Sequence, residues 1–197
     1  MSEDSVYKVI AFACCVAGIL AATSSADGQL KREDFQRADK ATIRLSPTEF
    51  PDLPVPVRAA LENRGCTIPQ PYDNPVPKKN VITGQFHTAG QTDWAVLCSH
   101  EGHSTILVFS AENYEHIDEI AEEPDLQYQQ VLSDGRTIGY SRLLTAARPN
   151  AIRRVTHPRP GIQIAINHDG IENTFLEKGS VFWYCANQRW MKVSTTD

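Results

Sequence analysis

The chain has 197 residues, 41% of them hydrophobic and 22% charged, with 11 glycines and 12 prolines. That composition excludes collagen-like, low-complexity and strongly disordered chains, and the length supports one domain whose core buries roughly 70% of the unfolded surface. A formal net charge of −5 argues against nucleic acid or an anionic lipid surface as a partner for the whole molecule.

The first element is the apolar run Val9–Ala22, 14 residues long and short of the roughly 20 that a spanning helix needs. It suits the core of a signal peptide. Small residues Ser24, Ser25 and Ala26 follow it, so residues 1–26 are expected to be a signal cleaved after Ala26. Glu3 and Asp4 against Lys8 make its start more acidic than a signal usually has, and an uncleaved anchor or a buried helix is the alternative. Cleavage would remove Cys14 and Cys15, leave no stable membrane span, and place the protein in the periplasm or outside the cell. Cys66, Cys98 and Cys185 would then meet an oxidising compartment.

Residues 27–197 are expected to form a single globular domain in three parts: a flexible or helical part at 27–66, a proline-rich connector at 67–80 and a β-rich part at 81–197. In the first part, helix is expected near Phe35. Ser46-Pro47-Thr48-Glu49 matches a capping box with proline at the first helical position, and Pro51 stops that turn. A second helix starts near Pro54 or Pro56, with Val57, Ala60, Leu61 and Arg64 on one face and Gly65 as its carboxyl-terminal cap. It delivers Cys66 at its end. The connector TIPQPYDNPVPKKN holds four prolines, which remove backbone donors.

From residue 81 short apolar runs alternate with turn residues. Val81–Thr83 with Phe86, Asp93–Cys98 and Thr105–Ser110 read as strands, with Ser99–Ser104 a hairpin loop. Residues 111–126 suit an exposed strand or a short helix ended by Pro124. Gln127–Ser133 and Thr137–Thr145 flank the turn pair Asp134-Gly135. Gly161–Asn167 reads as a strand closed by the turn His168-Asp169-Gly170. Ser180–Cys185 and Arg189–Val193 form a last hairpin, and 157–161 must be a loop. The fold class is therefore α+β, mainly antiparallel β, as a sheet or sandwich with a small amino-terminal helical segment.

Within Val81–Cys98, VITGQFHTAGQTDWAVLC, residues Gly84, Phe86, Gly90, Asp93, Ala95 and Val96 resemble an FG-GAP repeat. The resemblance implies a strand–loop–strand unit in which loop carboxylates hold calcium. Here Gln85, His87 and Ala89 stand where oxygen ligands would be, leaving Asp93, and calcium wants six to eight oxygens. Gly84 and Gly90 then serve turn geometry, Phe86 packs, and Asp93 satisfies loop N–H groups. One such segment in a chain of this length excludes a complete propeller. The mature chain as a whole resembles exported bacterial proteins, a likeness that implies no activity.

Cys98, His100 and His103 carry ligand types that suit zinc or copper. His100 and His103 are the candidate metal residues, with His87 and His116 joining only if the fold brings them near. Their spacing is not H-E-x-x-H, and exposed loop histidines are common. A Cys66–Cys98 disulfide would close a loop of about 32 residues and add about 3–4 kcal/mol, although pairing with Cys185 or three free thiols remain alternatives. Cys185 itself suits a buried strand thiol. Gly139-Tyr140-Ser141-Arg142-Leu143 lacks the final glycine of a nucleophile elbow. No phosphate or dinucleotide loop occurs, so no cofactor and no catalytic residue is assigned. Phe182 and Tyr184 should face one side of a strand and Val181, Trp183 and Cys185 the other. With Trp190 they suit a two-layer core, or else an exposed aromatic face for binding. Arg142, Arg148, Arg153, Arg154 and Arg159 read as a solvated basic surface able to meet an acidic partner.

These readings favour an exported non-catalytic binding or interaction module of the cell envelope, with an envelope or extracellular protein as partner. A metal-dependent hydrolase or metal-binding protein using Cys98, His100 and His103, and a secreted enzyme inhibitor using the 157–161 loop, are the alternatives.

Overall fold

A computed structural model describes residues 29–73, 78–155 and 165–194. The expected signal at 1–26 and the 157–161 loop lie outside these residues. Helix α1 (Arg32–Ala41) follows Lys31, whose backbone N–H donates to Asp34 at 2.8 Å. Glu33 and Asp34 in its first turn and Lys40 in its last suit the helix dipole. Strand β1 (Arg44–Leu45) leads into a 3₁₀ turn at Pro47–Glu49, where the Ser46 hydroxyl caps Thr48 N–H. Glu49 does not close the expected box, because its carboxylate instead meets Lys78 at 2.8 Å. Helix α2 (Val55–Asn63) buries Val57 and Leu61 and ends at Gly65, whose φ of 67° lies in the left-handed region that favours glycine.

The connector is part of the fold. Strand β2 (Ile68–Pro69) pairs with β1, and Thr67 exchanges two backbone hydrogen bonds with Ser99 at 2.9 and 2.8 Å. Strands β3 (Val81–Gly84), β4 (Asp93–His100), β5 (His103–Ser110) and β6 (Asn113–Pro124) form one antiparallel sheet in that order. The expected loop Ser99–Ser104 shrinks to Glu101 and Gly102, both at positive φ as a two-residue hairpin requires. Strand β7 (Gln129–Val131) pairs with β8 (Ile138–Tyr140) across Asp134-Gly135. Strands β9 (Arg142–Ala147), β10 (Gly170–Phe175), β11 (Gly179–Ala186) and β12 (Arg189–Ser194) form a second antiparallel sheet in the order β12-β11-β10-β9, with helix α3 (Pro149–Val155) between β9 and β10.

Alternation along the strands sets the layers. Val96 and Cys98 of β4 and Leu107 and Phe109 of β5 meet Phe50, Leu53, Val57 and Leu61. The opposite face, with Ala95, Leu97, Ile106, Val108 and Ile120, packs on Leu144, Ile171 and Trp183 of the second sheet. Phe182 and Tyr184 face outward and are covered by Ile152 of α3. The order is helix, sheet, sheet, helix, an α+β fold dominated by antiparallel strands.

One side of this sandwich is stitched by a single residue. Asn80 is fully buried at φ 68°. Its Nδ2 donates to Pro69 O (2.6 Å) and Arg142 O (3.1 Å), and its Oδ1 accepts from Leu144 N–H (2.9 Å). Its own carbonyl accepts from Leu97 N–H at 2.9 Å. The amide thus replaces a strand rung between β2 and β9.

Three expectations change. Of the expected strand Gly161–Asn167, residues 161–164 lie outside the described residues and 165–167 are irregular; the strand in this region begins at Gly170. Helix α3 occupies part of the stretch read as a solvated basic surface. Arg142 leaves that surface altogether, being 0% exposed. Its guanidinium donates to Asn173 Oδ1, to Ser104 O and Oγ, and to Ala121 O, and it lies 4.5 Å from the Tyr128 ring centroid. A bulge in β6 frees that Ala121 carbonyl from the ladder.

Candidate functional site

The loop between β3 and β4 is built around one carboxylate. Asp93 is fully buried and accepts five hydrogen bonds: from the N–H groups of Phe86, His87 and Ala111, from Gln91 Nε2, and from His87 Nδ1. Burial pushes its carboxyl up, but His87, Ala111 and Gln91 outweigh that and hold it below the ordinary carboxylate value. With its acceptor positions filled, Asp93 is a structural anchor and not a calcium ligand. Phe86 folds back over Gly84 so closely that a Cβ there would lie 2.6 Å from its ring. Residues 81–98 therefore do form strand, loop and strand, and Asp93 satisfies loop N–H groups as expected.

The loop delivers His87 between two carboxylates from different strands. Nδ1 lies 2.9 Å from Asp93 Oδ2, and Nε2 lies 2.7 Å from Asp118 Oδ2 on β6. The same Asp118 oxygen accepts from Trp190 Nε1 on β12 at 3.1 Å, and its other oxygen lies 3.3 Å from His116 Nε2. The His87 and Trp190 rings meet edge to face at 5.8 Å. Burial pulls the His87 imidazole down, but the hydrogen bonds and charges of Asp93 and Asp118 outweigh it, so its pKa lies above the ordinary histidine value. Asp118 is raised by burial and lowered further by His87 and Trp190, for a net decrease. Both ring nitrogens lie against carboxylates, an arrangement that favours the imidazolium, whose two N–H groups can donate to both.

This cluster forms the inner wall of a cleft of about 1330 Å³ at one end of the sandwich. The loop after β3, the β5–β6 turn, the segment before β10 and the β11–β12 hairpin tip converge there. Gln91, Glu112, Asn167, Asn187, Gln188 and Arg189 supply polar groups to its walls. His168 lines it too. That ring stacks on Tyr184 at 4.4 Å, and its Nδ1–H donates to Asp169 O at 2.9 Å.

The residues singled out from sequence fall elsewhere. Cys66 and Cys98 are disulfide-bonded, with Cα atoms 5.1 Å apart, and Cys185 is a free buried thiol pushed up by burial. Cys98 is thus removed from the proposed ligand set. His100 and His103 are direct cross-strand partners at the β4–β5 turn, exposed and not among the residues that line the cleft. Among the described residues no group of three His, Cys, Asp or Glu side chains is placed to hold a metal. Ser141 is buried and its hydroxyl donates to Tyr128 O at 2.6 Å. The sequence marks His87 and Asp93 as residues of one loop, but it carries no sign of Asp118, the partner 31 positions away.

No known family, curated protein or solved structure matches this chain. Among the described residues no helix is long and apolar enough to cross a membrane. What fold and site define is a disulfide-stapled, two-sheet α+β protein with a polar and aromatic cleft at one end.

Proposed function

We propose that this protein is an exported, non-catalytic binding module of the cell envelope, and that its ligand enters the cleft beside the β11–β12 hairpin tip. The observation that carries the reading is the state of the cleft's central imidazole. Both His87 nitrogens are engaged by carboxylates, so this imidazole serves as a fixed polar cross-link in the cleft wall instead of a group offered to a substrate. The apolar run before Ala26 and the Cys66–Cys98 bridge support export. The FG-GAP-like segment contributes as a loop scaffold around Asp93.

A photo-crosslinking residue at Gln188, on the hairpin tip, tests the reading in envelope fractions, with Val55 on α2 as control. The species captured at Gln188 is then purified and returned to the free protein. Binding in the cleft shifts the Trp190 indole resonance. A shift confined to residues outside the cleft, or turnover of the captured molecule, overturns the reading. Intact mass of the exported protein, 26 residues short and two hydrogen atoms heavier after reduction of its disulfide, tests the export half.

A further inference from the structure

His168 is nearly enclosed, at 6% exposed, yet its ring has an unused edge. Its Nδ1–H is committed to the Asp169 carbonyl at 2.9 Å, and one face stacks on Tyr184. Nε2 then carries the lone pair of the neutral ring, and no group among the described residues donates to it. Nor is that nitrogen sealed in. The enclosed side-chain atoms without partners, among the described residues, are Arg58 Nε, Asp125 Oδ1, Gln129 Oε1 and Trp183 Nε1. The lone pair therefore opens on the cleft that the ring lines.

The ring is also held in place before any ligand arrives. The Tyr184 hydroxyl donates to Ala165 O (3.0 Å) and accepts from Asn167 N–H (3.1 Å), which pins the chain before His168 to β11. Asp169 Oδ2 accepts from Gln85 N–H at 3.1 Å, which pins the chain after it to the β3–β4 loop. An acceptor fixed in this way costs little ordering entropy on binding.

We propose that the cleft takes a stretch of uncharged oligosaccharide, and that His168 Nε2 is the acceptor that positions it by receiving a hydrogen bond from a sugar hydroxyl. The inference rests on the binding reading above and names the ligand class of that cleft. A lone pair repels an anionic oxygen and calls for an O–H or N–H. Among the described residues no group of three His, Cys, Asp or Glu side chains is placed to share a metal ion. The charges of the lining cancel, Glu112 and Asp118 against Arg189 and the His87 imidazolium, so an ammonium ion finds no net attraction. Asn167, Asn187 and Gln188 are exposed on the same walls, and each amide offers a donor beside an acceptor, a pairing that matches adjacent hydroxyls. Half-buried Trp190 adds aromatic surface for the C–H groups of a sugar ring. At about 1330 Å³ the cleft exceeds the roughly 300–1,000 Å³ of ordinary small-molecule pockets, which suits an oligomer.

The test is an NMR titration of the ligand-free protein with chitotetraose, cellotetraose and maltotetraose, following the Trp190 indole N–H. Tetragalacturonate and tetralysine serve as charged comparisons. The expected result is saturable movement of the indole resonance with at least one uncharged sugar and none with the charged probes. His168→Asn keeps a donor where Nδ1 stands and removes the acceptor, so it should weaken that sugar about three- to tenfold, the loss of one neutral hydrogen bond. His168→Gln extends an amide to the Nε2 position and should restore most of the affinity. Disturbed packing would weaken both variants alike, because neither keeps a ring on Tyr184. Movement with a charged probe alone, no movement with any uncharged sugar, or equal loss in the two variants each overturns the inference. The wild-type titration decides even where a variant fails to fold. A peptide captured at Gln188 that moves the indole overturns the sugar assignment and leaves the binding reading standing. Cleavage of a bound sugar overturns the non-catalytic reading and leaves the sugar assignment standing.

Discussion

Asp93 shows how one side chain organises a loop. Five donors converge on it, so Asp93→Ala leaves buried N–H groups without acceptors and should lower stability by about 3 kcal/mol, read by urea denaturation. Gly84 depends on Phe86 in the same loop. Gly84→Ala drives a Cβ to 2.6 Å from the ring and should lower stability by about 1–3 kcal/mol. Combining it with Phe86→Leu should cost less than the sum of the two, because the clash is then already relieved. The triad also sets a pH window. His87, raised, contributes fully below its unfolded value of about 6.5 and loses that contribution as pH climbs through its folded pKa. Asp93 and Asp118, lowered, contribute above about pH 4 and lose that contribution as pH falls through their depressed values. The urea midpoint should therefore be highest between about pH 4 and 6.5 and fall on both sides, and His87→Gln should flatten the alkaline fall.

At the scale of elements, what could be read from sequence depended on whether a strand's partner was local. The hairpins at 101–102, 134–135 and 187–188 were legible because turn residues and alternation agree within a few positions. Strand β10 was not, since Gly-Ile-Glu-Asn-Thr-Phe is half polar and Asn173 is buried only because Arg142 reaches it from β9. The alternating run Gly-Ile-Gln-Ile-Ala-Ile-Asn just before it looked more like a strand. Arg142 misled for the same reason: a guanidinium reads as surface until a β-bulge, a serine and an asparagine supply acceptors from distant strands. Asn80 sits at the end of the connector with no local signal of its role. Asn80→Ala strips partners from two carbonyls and one N–H at the β2–β9 junction and should lower stability by about 3 kcal/mol. Protection from hydrogen exchange at Leu144 should fall most.

At the scale of the whole molecule, the class of fold and the Cys66–Cys98 staple were legible, because the helix end and the strand end that present the cysteines are both locally encoded. The cleft was not, since it assembles four segments that only the sheet order brings together. Replacing both cysteines with alanine should lower stability by about 3–4 kcal/mol, seen as a lower urea midpoint that reducing agent no longer changes.

The position of the bridge along the chain also sets the order of its chemistry. A polypeptide emerges amino end first, so Cys66 and Cys98 are both available while Cys185 is still being made. If the protein is exported and loses residues 1–26 with Cys14 and Cys15, as proposed, an oxidant acting on the growing chain has one pairing to make and no choice among three. A fully reduced, denatured chain has no such sequence of events, and its renaturation yield should rise when Cys185 is replaced by serine. Biosynthesis solves by timing a selection problem that refolding must solve by search.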